Sequence, residues 1–360
     1  MSSADLVLGI LLLAGTLLLL WSVVLFVDGV RVHILTLRRN AAAKPLQLEV
    51  AGRDDLTPDI FRVRLAPRSR RRLPPFEAGQ AILLRTPAGQ RLYSLAGWRK
   101  RADTWELAIR NKGRVSGWLH AHASVGSCLE AERPRGSFVL APPLAAPIVL
   151  VAAGVGITPL RAMLHRLGEC DAPPSVMLWH ACRDEADLLW RDEFEALAAS
   201  TAWFRYRPIL SRPAEGWRGA RGRLDATRLD PVANGGADYY LCAGIPMMDD
   251  LEAGLALAGV PSPNIHREAF GLAAPADGPK HELVLPDGRT VTATEGLPLL
   301  AVLEEHGCAP EAECRTGECG RCLVPMHGQV RYLLEPSFAV PEGEVAVCCA
   351  TAAGSVEWRA

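Results

Sequence analysis

A short cysteine-rich segment near the C-terminal end constrains this chain more than any other feature. It reads CRTGECGRC from Cys314 to Cys322, and a further cysteine, Cys348, follows at a distance. Three cysteines spaced C-x4-C-x2-C with a distant fourth are typical of a 2Fe-2S cluster, in which four thiolates hold two iron ions. Gly317 and Gly320 allow the sharp turns that bring backbone N–H groups close to the sulfurs. The sequence therefore predicts a cluster-binding loop here.

A zinc site and a disulfide framework are the alternatives for this segment. Zinc sites favour paired C-x2-C units, and disulfides need an oxidising compartment. The other cysteines lie apart without framework spacing, which favours a reducing compartment; they are Cys128, Cys170, Cys182, Cys242, Cys308 and Cys349. Because Cys349 adjoins Cys348, the residues alone leave open which of the two is the fourth ligand.

The residues around the loop have the pattern of a small α+β domain. Lys280 to Thr294 predicts two strands joined by a Pro-Asp-Gly turn, and Leu297 to His306 has the apolar spacing of a helix. Residues 280–360 thus resemble a plant-type ferredoxin of the β-grasp kind. Ferredoxins follow the last ligand with one residue and then a small one, so the resemblance implies four ligands: Cys314, Cys319, Cys322 and Cys348.

An apolar run without a charge extends from Leu6 to Val27. As a helix it would be about 33 Å long, enough for a bilayer core of about 30 Å. It lacks the basic start and small-residue end of a signal peptide, and basic residues follow it. We therefore expect a transmembrane anchor at residues 5–28, in the cell inner membrane, with the N-terminus outside and the catalytic domains cytoplasmic. A buried core helix is the alternative.

Composition indicates several folded domains and no nucleic-acid partner. The 360 residues are 49% hydrophobic and 22% charged, which is ordinary for two or three folded domains, and the net charge is only -1. A basic run at residues 68–72 is either a docking patch for anionic lipid or an acidic partner, or a solvated turn.

Short β-like segments separated by turn signals predict an antiparallel barrel over residues 46–142. One segment contains Arg91, Tyr93 and Ser94, which offer a flavin a phosphate-binding cation, an aromatic face and a hydroxyl. The segment from Gly113 to Ser116 precedes a predicted helix, so its backbone N–H groups suit a phosphate. A tyrosine of the barrel core is the alternative for Tyr93.

A glycine turn from Gly154 to Leu160 directly follows a predicted buried strand that begins at Ile148. A strand, a glycine turn and a helix in this order present backbone amides to a dinucleotide pyrophosphate. Further strands and helices alternate after it. We therefore expect a doubly wound, NAD(P)-binding α/β domain over residues 147–271.

Together, residues 46–271 resemble the ferredoxin-NADP reductase superfamily, on the motifs given above and on VSGWLH from Val115 and PRGSF from Pro134. The resemblance implies Ser94, Cys242 and Glu268 as catalytic residues, with Cys242 beside the reacting nicotinamide carbon. The cofactor-binding residues that it implies are Arg91, Tyr93, Ser94, Gly113, Val115, Ser116 and Phe270 for the flavin, and Gly154, Gly156, Thr158, Pro159 and Cys242 for the coenzyme. Cys242 as a merely buried strand cysteine is the alternative.

The resemblance implies FAD, with FMN as the alternative because the phthalate dioxygenase reductase branch uses FMN with a similar motif. Ala153 and Ala243 stand where the family usually has glycine. For the coenzyme, Asp184 suits the free 2'-hydroxyl of NADH, whereas Ser211 and Arg212 suit the 2'-phosphate of NADPH. We expect NADH, with NADPH as the alternative.

In chain order, these segments predict a membrane-anchored, NAD(P)H-dependent iron–sulfur flavoprotein reductase. A hydride carries two electrons and the cluster accepts one, so the flavin divides the pair. The sequence has no recognisable haem or mononuclear iron site, so we expect a separate acceptor: an oxygenase, a desaturase or another metalloprotein. A non-catalytic membrane redox sensor or assembly subunit is the alternative.

Overall fold

The structure of the protein is a computed structural model. It describes residues 45–69, 72–229, 236–269, 278–308, 310–312, 315, 317 and 319–359. Gln47–Ala360 is one compact unit, and its described residues are arranged around three β-sheets.

The first sheet is curled into a barrel-like form. Its strands are β1 Leu46–Thr57, β2 Ile60–Pro67, β3 Ala81–Thr86, β4 Gly89–Ser94, β5 Trp105–Arg110 and β6 Cys128–Ala131, in the order β4-β3-β6-β1-β2-β5. The two outer strands approach each other, because the Ala96 N–H donates to the carbonyl of Glu106 at 2.8 Å. The predicted barrel is thereby confirmed.

Alternating side chains explain why these segments form strands with one buried face. In β1, Leu48 and Val50 are buried whereas Gln47 and Glu49 are exposed, as the period of two requires. Helix α1, Arg114–His122, follows β5 and buries Val115.

The second sheet is wholly parallel, with helices on both faces. Its strands are β7 Ile148–Ala153, β8 Val176–Cys182, β9 Phe204–Leu210, β10 Ala220–Arg221, β11 Asp238–Ala243 and β12 Ile265–Ala269, in the order β10-β9-β8-β7-β11-β12. Its helices are α2 Ile157–Gly168, α3 Arg191–Ser200 and α4 Ile245–Leu257. The strand order reverses between β7 and β11, and ligands of doubly wound sheets bind at the carboxyl ends beside such a reversal.

The third sheet has the mixed topology expected for the C-terminal domain. Its strands are β13 Lys280–Val284, β14 Thr290–Thr294, β15 Leu323–Tyr332, β16 Glu344–Ala346 and β17 Ala350–Trp358, in the order β14-β13-β17-β15-β16. β13 and β17 are parallel, and the other pairs are antiparallel. Helix α5, Leu299–Glu305, buries its apolar face on this sheet and is followed by Gly307, whose φ of +78° suits a helix end.

The structure requires one correction to the sequence-based expectations. Of the helices in the described ranges, the longest is α4, with 13 residues. A helix of that length spans about 20 Å, well short of a bilayer core of about 30 Å. No described helix is long and apolar enough to cross a membrane. The predicted inner-membrane location is therefore wrong for the part of the chain that the structure describes, and the predicted anchor at residues 5–28 lies outside it.

Candidate active site

Three residues that are far apart in the sequence meet where the barrel contacts the parallel sheet. Ser94 ends β4, Cys242 lies on β11 and Glu268 lies opposite Cys242 on β12. The Ser94 hydroxyl donates to Glu268 Oε2 at 3.3 Å, and Cys242 Sγ lies 3.9 Å from the same oxygen. The residues predicted to be catalytic thus form one cluster around a single carboxylate.

The Cys242 thiol is fully buried, and its environment keeps it protonated. Burial, together with the charge of Glu268 and the hydrogen bond to it, raises the pKa of Cys242 well above its ordinary value. Thiolates, not thiols, are the nucleophiles and metal ligands among cysteines. Cys242 is therefore suited to contact a ligand at this position, and unsuited to attack it.

The aromatic and cationic residues of the predicted flavin motif lie on β4, beside Ser94. Tyr93 is buried, its hydroxyl has no hydrogen-bond partner among the described residues, and burial raises its pKa to about 12. Burial likewise lowers the pKa of Arg91, whose Nη1 is 3.9 Å from the position of a Cβ built on Gly113. A half-buried guanidinium near the start of helix α1 fits an anionic phosphate, and the Tyr93 hydroxyl offers a free donor, so these residues fit a flavin nucleotide.

The Ser116 side chain stabilises the turn that precedes helix α1. Its hydroxyl oxygen accepts from the Lys112 and Gly113 N–H groups at 3.1 and 2.8 Å and is 3.0 Å from the Gly113 carbonyl. These bonds fix the turn that begins α1. A direct contact of this hydroxyl with the flavin pyrophosphate stays a prediction.

The predicted coenzyme turn lies at the reversal of strand order, between β7 and α2. Gly154 has a φ of +52°, which favours glycine. A Cβ at Gly156 would be 2.2 Å from the carbonyl oxygen of Cys242, so only glycine allows this close approach. Thr158 is buried and donates to the Val155 carbonyl at 3.1 Å, and Pro159 is buried in the first turn of α2.

Two residues beside this turn escaped the sequence analysis. His180 on β8 is buried beneath it, with Nε2 at 3.3 Å from the Gly154 carbonyl, and burial lowers its pKa to about 4. Arg110 ends β5 of the barrel and forms ion pairs with Asp59 at 3.0 Å and Asp187 at 3.5 Å. The position of His180 inside an otherwise apolar strand is a signal that could have revealed it. No local pattern around Arg110 indicates its ion pairs.

The cluster loop is described in part. Cys319 is exposed at the surface, whereas Cys322 and Cys348 are each 2% exposed; Cys314 lies outside the described residues. Gly317 and Gly320 have φ values of +76° and +70°, as expected for the sharp turns of such a loop. Within the described ranges, no three His, Cys, Asp or Glu side chains are grouped closely enough to form a metal site.

The neighbouring cysteine, Cys349, is engaged in the protein interior. It is fully buried and its thiol is 3.3 Å from the Ala346 carbonyl, to which it donates. A cluster ligand must offer its sulfur to iron as a thiolate. The bonded thiol of Cys349 is consistent with the assignment of the fourth ligand to Cys348, which stays a prediction.

The ferredoxin-like domain packs against the parallel sheet and lies within electrostatic range of the flavin motif. Leu334, which follows β15, packs against its own core and against the apolar cluster of the parallel sheet. Arg315 of the cluster loop forms an ion pair with Glu304 through two hydrogen bonds. The two charges are close enough to Arg91 of the flavin motif to change its pKa, which Arg315 lowers and Glu304 raises. The cluster loop thus lies on the flavin side of the molecule. Phe270 and residues 271–277 of the predicted linker lie outside the described residues.

Two family models match parts of the chain. The oxidoreductase NAD-binding domain matches residues 150–253, and the 2Fe-2S iron-sulfur cluster binding domain matches residues 283–353.

Curated relatives span most of the chain. Phenoxybenzoate dioxygenase subunit beta of Ectopseudomonas oleovorans is 31% identical over 78% of this chain and 85% of its own length. Tetrachlorobenzoquinone reductase of Sphingobium chlorophenolicum is 33% identical over 73% of this chain and 81% of its own. The solved structure of a phthalate dioxygenase reductase shares the fold, with a TM-score of 0.63 at 23% identity over 88% of this chain and 98% of that one. The chain therefore belongs to the ferredoxin-NADP reductase superfamily, as an oxidoreductase with flavin- and NAD-binding domains and a C-terminal 2Fe-2S domain.

Proposed function

We propose that this protein is an NADH-dependent reductase that passes electrons one at a time, through its 2Fe-2S cluster, to a separate oxygenase-type metalloprotein. The observation that carries the proposal is the meeting of Ser94, Cys242 and Glu268 around one carboxylate. Ser94 belongs to the flavin motif and Cys242 to the strand beside the coenzyme turn. The contact therefore joins the two ligand sites that a hydride must connect.

In this proposal, each residue of the cluster holds or orients a reacting group. Ser94 would place its hydroxyl oxygen near the flavin N5, and Cys242 would support the nicotinamide ring through a neutral thiol. Glu268 holds both side chains in position through its Oε2 atom. When bound, FAD supplies the chemistry that accepts a hydride and returns its two electrons singly.

The remaining predicted residues would bind the cofactors. Arg91, Gly113, Val115 and Ser116 would hold the flavin phosphates, Tyr93 would stack on the ring and Phe270 would lie near it. Gly154, Gly156, Thr158 and Pro159 would hold the coenzyme pyrophosphate. Cys314, Cys319, Cys322 and Cys348 would bind the cluster.

NADH is proposed over NADPH on the position of Asp184. This residue follows β8 at the carboxyl edge of the parallel sheet, and its carboxylate accepts from the Ala186 N–H at 3.1 Å. A carboxylate held at this edge suits a ribose 2'-hydroxyl and repels a 2'-phosphate. Arg212 lies nearby, since its N–H donates to the Arg183 carbonyl at 2.7 Å, and NADPH is the alternative on this ground.

An oxygenase-type acceptor is supported by a relative that is named as a subunit of a dioxygenase. The proposal places substrate oxidation on that separate protein. Adding candidate oxygenase components to the reductase and NADH, and measuring oxidised product, identifies the partner.

The experiment that tests the electron path uses the full chain and its Cys322→Ser variant. Ferricyanide takes electrons from a reduced flavin, so its reduction by NADH should persist in the variant. Reduction of cytochrome c and of the oxygenase component should fall to background. A variant that still reduces the oxygenase at the wild-type rate excludes the cluster from the path, and a wild-type protein without NADH turnover favours the sensor alternative.

A further inference from the structure

A buried arginine joins the barrel to the parallel sheet close to the candidate active site. Arg161 lies on α2, and its side chain is only 9% exposed. On one side, its Nε and Nη2 atoms donate to the carboxylate of Glu193 on α3 at 2.8 to 2.9 Å. On the other side, Nη1 donates to the Ala96 carbonyl at 2.8 Å and to Glu106 Oε1 at 2.9 Å, both in the barrel. One guanidinium therefore bonds three separate elements.

Two more side chains fix the orientation of this guanidinium. His165, one turn further along α2, lies 2.9 Å from Glu193 through Nε2 and 3.3 Å from the Trp98 backbone nitrogen through Nδ1. Because the Trp98 N–H can only donate, Nδ1 accepts and Nε2 donates. The ring of Trp190 lies 4.6 Å from the Arg161 guanidinium, and Trp190 has a left-handed φ of +56°, which is costly for a non-glycine residue.

Arg161 is connected to both halves of the active site, to one through a hydrogen bond and to the other through its own helix. Ala96 is two residues beyond Ser94 on the same chain segment. The helix that carries Arg161 begins after Gly156, which touches the backbone of Cys242. A shift of Arg161 would therefore change the distance between the flavin motif and the nicotinamide strand.

We propose that Arg161 is a positioning residue for hydride transfer. It holds the coenzyme half of the site against the flavin half, and would thereby fix the distance over which bound NADH gives a hydride to a bound flavin. The coenzyme is oxidised and the flavin is reduced by the same two electrons. The inference rests on the proposed function, and Arg161 itself touches neither reacting atom.

The test compares wild type with Arg161→Lys, which keeps the positive charge but not the planar fork that reaches both sides. Flavin reduction by NADH is followed by anaerobic stopped flow, as a rate per bound flavin, together with the NADH dissociation constant. We expect the limiting rate to fall at least about tenfold, because misplacement of reacting groups by about 1 Å costs up to about a hundredfold. The dissociation constant should change little, and the deuterium isotope effect with C4-deuterated NADH should rise.

Two further variants keep the test decisive. Glu106→Gln retains an acceptor oxygen and should slow the same step less than Arg161→Lys. Arg191→Lys is the matched control, because Arg191 also binds two carboxylates, Glu185 and Glu195, and lies over a tryptophan, but it joins elements of one sheet only. It should leave the rate unchanged.

A second readout does not depend on turnover. The charge-transfer absorbance band between bound NAD⁺ and reduced flavin reports how closely the two rings stack, and it should weaken in Arg161→Lys and persist in Arg191→Lys. If Arg161→Lys shows the wild-type rate per flavin, isotope effect and band, and only a lower melting temperature, Arg161 is merely structural and the inference fails. Failure of wild type itself to reduce its flavin with NADH would instead overturn the proposed function.

Discussion

At the scale of single residues, Glu268 contacts both of the other residues that are predicted to be catalytic. It lies on β12, next to the strand that carries Cys242, and its Oε2 atom is 3.3 Å from the Ser94 hydroxyl and 3.9 Å from the Cys242 thiol. A carboxylate accepts both contacts and carries a negative charge, whereas a glutamine offers a single uncharged acceptor oxygen and an amide nitrogen that cannot accept.

Glu268→Gln should therefore slow flavin reduction by NADH about 10- to 100-fold, within the range expected when one oriented polar group of an active site is lost. Flavin content should stay close to that of wild type, because Tyr93 and Arg91 are unchanged. Stopped-flow reduction per bound flavin measures the effect. Glu282→Gln, on an exposed position of β13, is the control and should have no effect; equal rates in both variants would show that the Glu268 contacts do not serve hydride transfer.

A second question at this scale concerns two adjacent cysteines. Cys349 is fully buried and its thiol donates to the Ala346 carbonyl, and its Sγ would be 2.9 Å from a Cβ at Gly317. Its sulfur is thus packed beneath the cluster loop. The resemblance assigns the fourth ligand to Cys348.

We predict that Cys348→Ser loses the visible absorbance and the EPR signal of the reduced 2Fe-2S cluster, and that Cys349→Ser retains both. The second variant should be destabilised by about 1 kcal/mol, since a hydroxyl replaces a buried thiol that already has an acceptor. Iron and sulfide analysis of the purified variants provides the measurement. The opposite pattern, with the cluster lost in Cys349→Ser alone, would reassign the fourth ligand.

At the scale of elements, the start of α2 makes one very close contact with β11. Gly156 precedes this helix and approaches the Cys242 carbonyl so closely that a Cβ would be 2.2 Å from the oxygen. Backbone atoms on both sides leave no flexible side chain that can move away. A methyl group here must push α2 away from β11.

Gly156→Ala is accordingly predicted to destabilise the protein by about 1 to 3 kcal/mol, the usual cost of overpacking. It should also weaken NADH binding, because the coenzyme turn opens, while flavin content is retained. Gly216→Ala is the matched control, since a Cβ there meets no atom within 4 Å. Urea unfolding and NADH titration compare the two, and a Gly156→Ala variant that binds NADH like wild type would contradict the proposed role of the turn.

The elements also show which parts of the fold a sequence can predict. The glycine turn at Gly154, the cysteine spacing of the cluster loop and the alternating strands are local patterns. The structure has the glycine turn and the alternating strands where expected, and it describes the cluster loop only in part. The network around Arg161 could not be predicted, because its partners come from β5, α3 and the segment after β4. Ser116 shows the intermediate case: its position at the start of α1 was predicted, but its hydroxyl bonds the turn itself.

At the scale of the whole molecule, the three sheets are tied together by contacts of different kinds. Leu334 gives the ferredoxin-like domain an apolar contact with the parallel sheet. Arg161 and Arg110 link the barrel to the parallel sheet by charge. Isolated ion pairs at a surface contribute little to stability, but a buried arginine with several partners is costly to break. We therefore expect the stability of the contact between barrel and parallel sheet to depend more on pH than the stability of the apolar contact made by Leu334.

Glu193 is the group whose titration should show this. Burial raises its pKa, but hydrogen bonds from His165 and Arg161 and the charge of Arg161 outweigh that effect and lower the pKa from its ordinary 4.5 to about 2. A carboxylate with a lowered pKa in the folded state stabilises the protein fully above the ordinary value. That contribution is lost as the pH falls from about 4.5 towards about 2.

The free energy of unfolding should therefore be lower in Glu193→Gln than in wild type at neutral pH, and the difference should shrink as the pH falls below about 4.5. Urea unfolding at a series of pH values measures it. Glu195→Gln is the control, because Glu195 bonds the surface residue Arg191 within the same helix and its loss should cost little at any pH. A difference between Glu193→Gln and wild type that stays constant down to acidic pH would mean that the Glu193 carboxylate contributes packing alone, and that the charge of Arg161 is balanced mainly by Glu106 in the barrel.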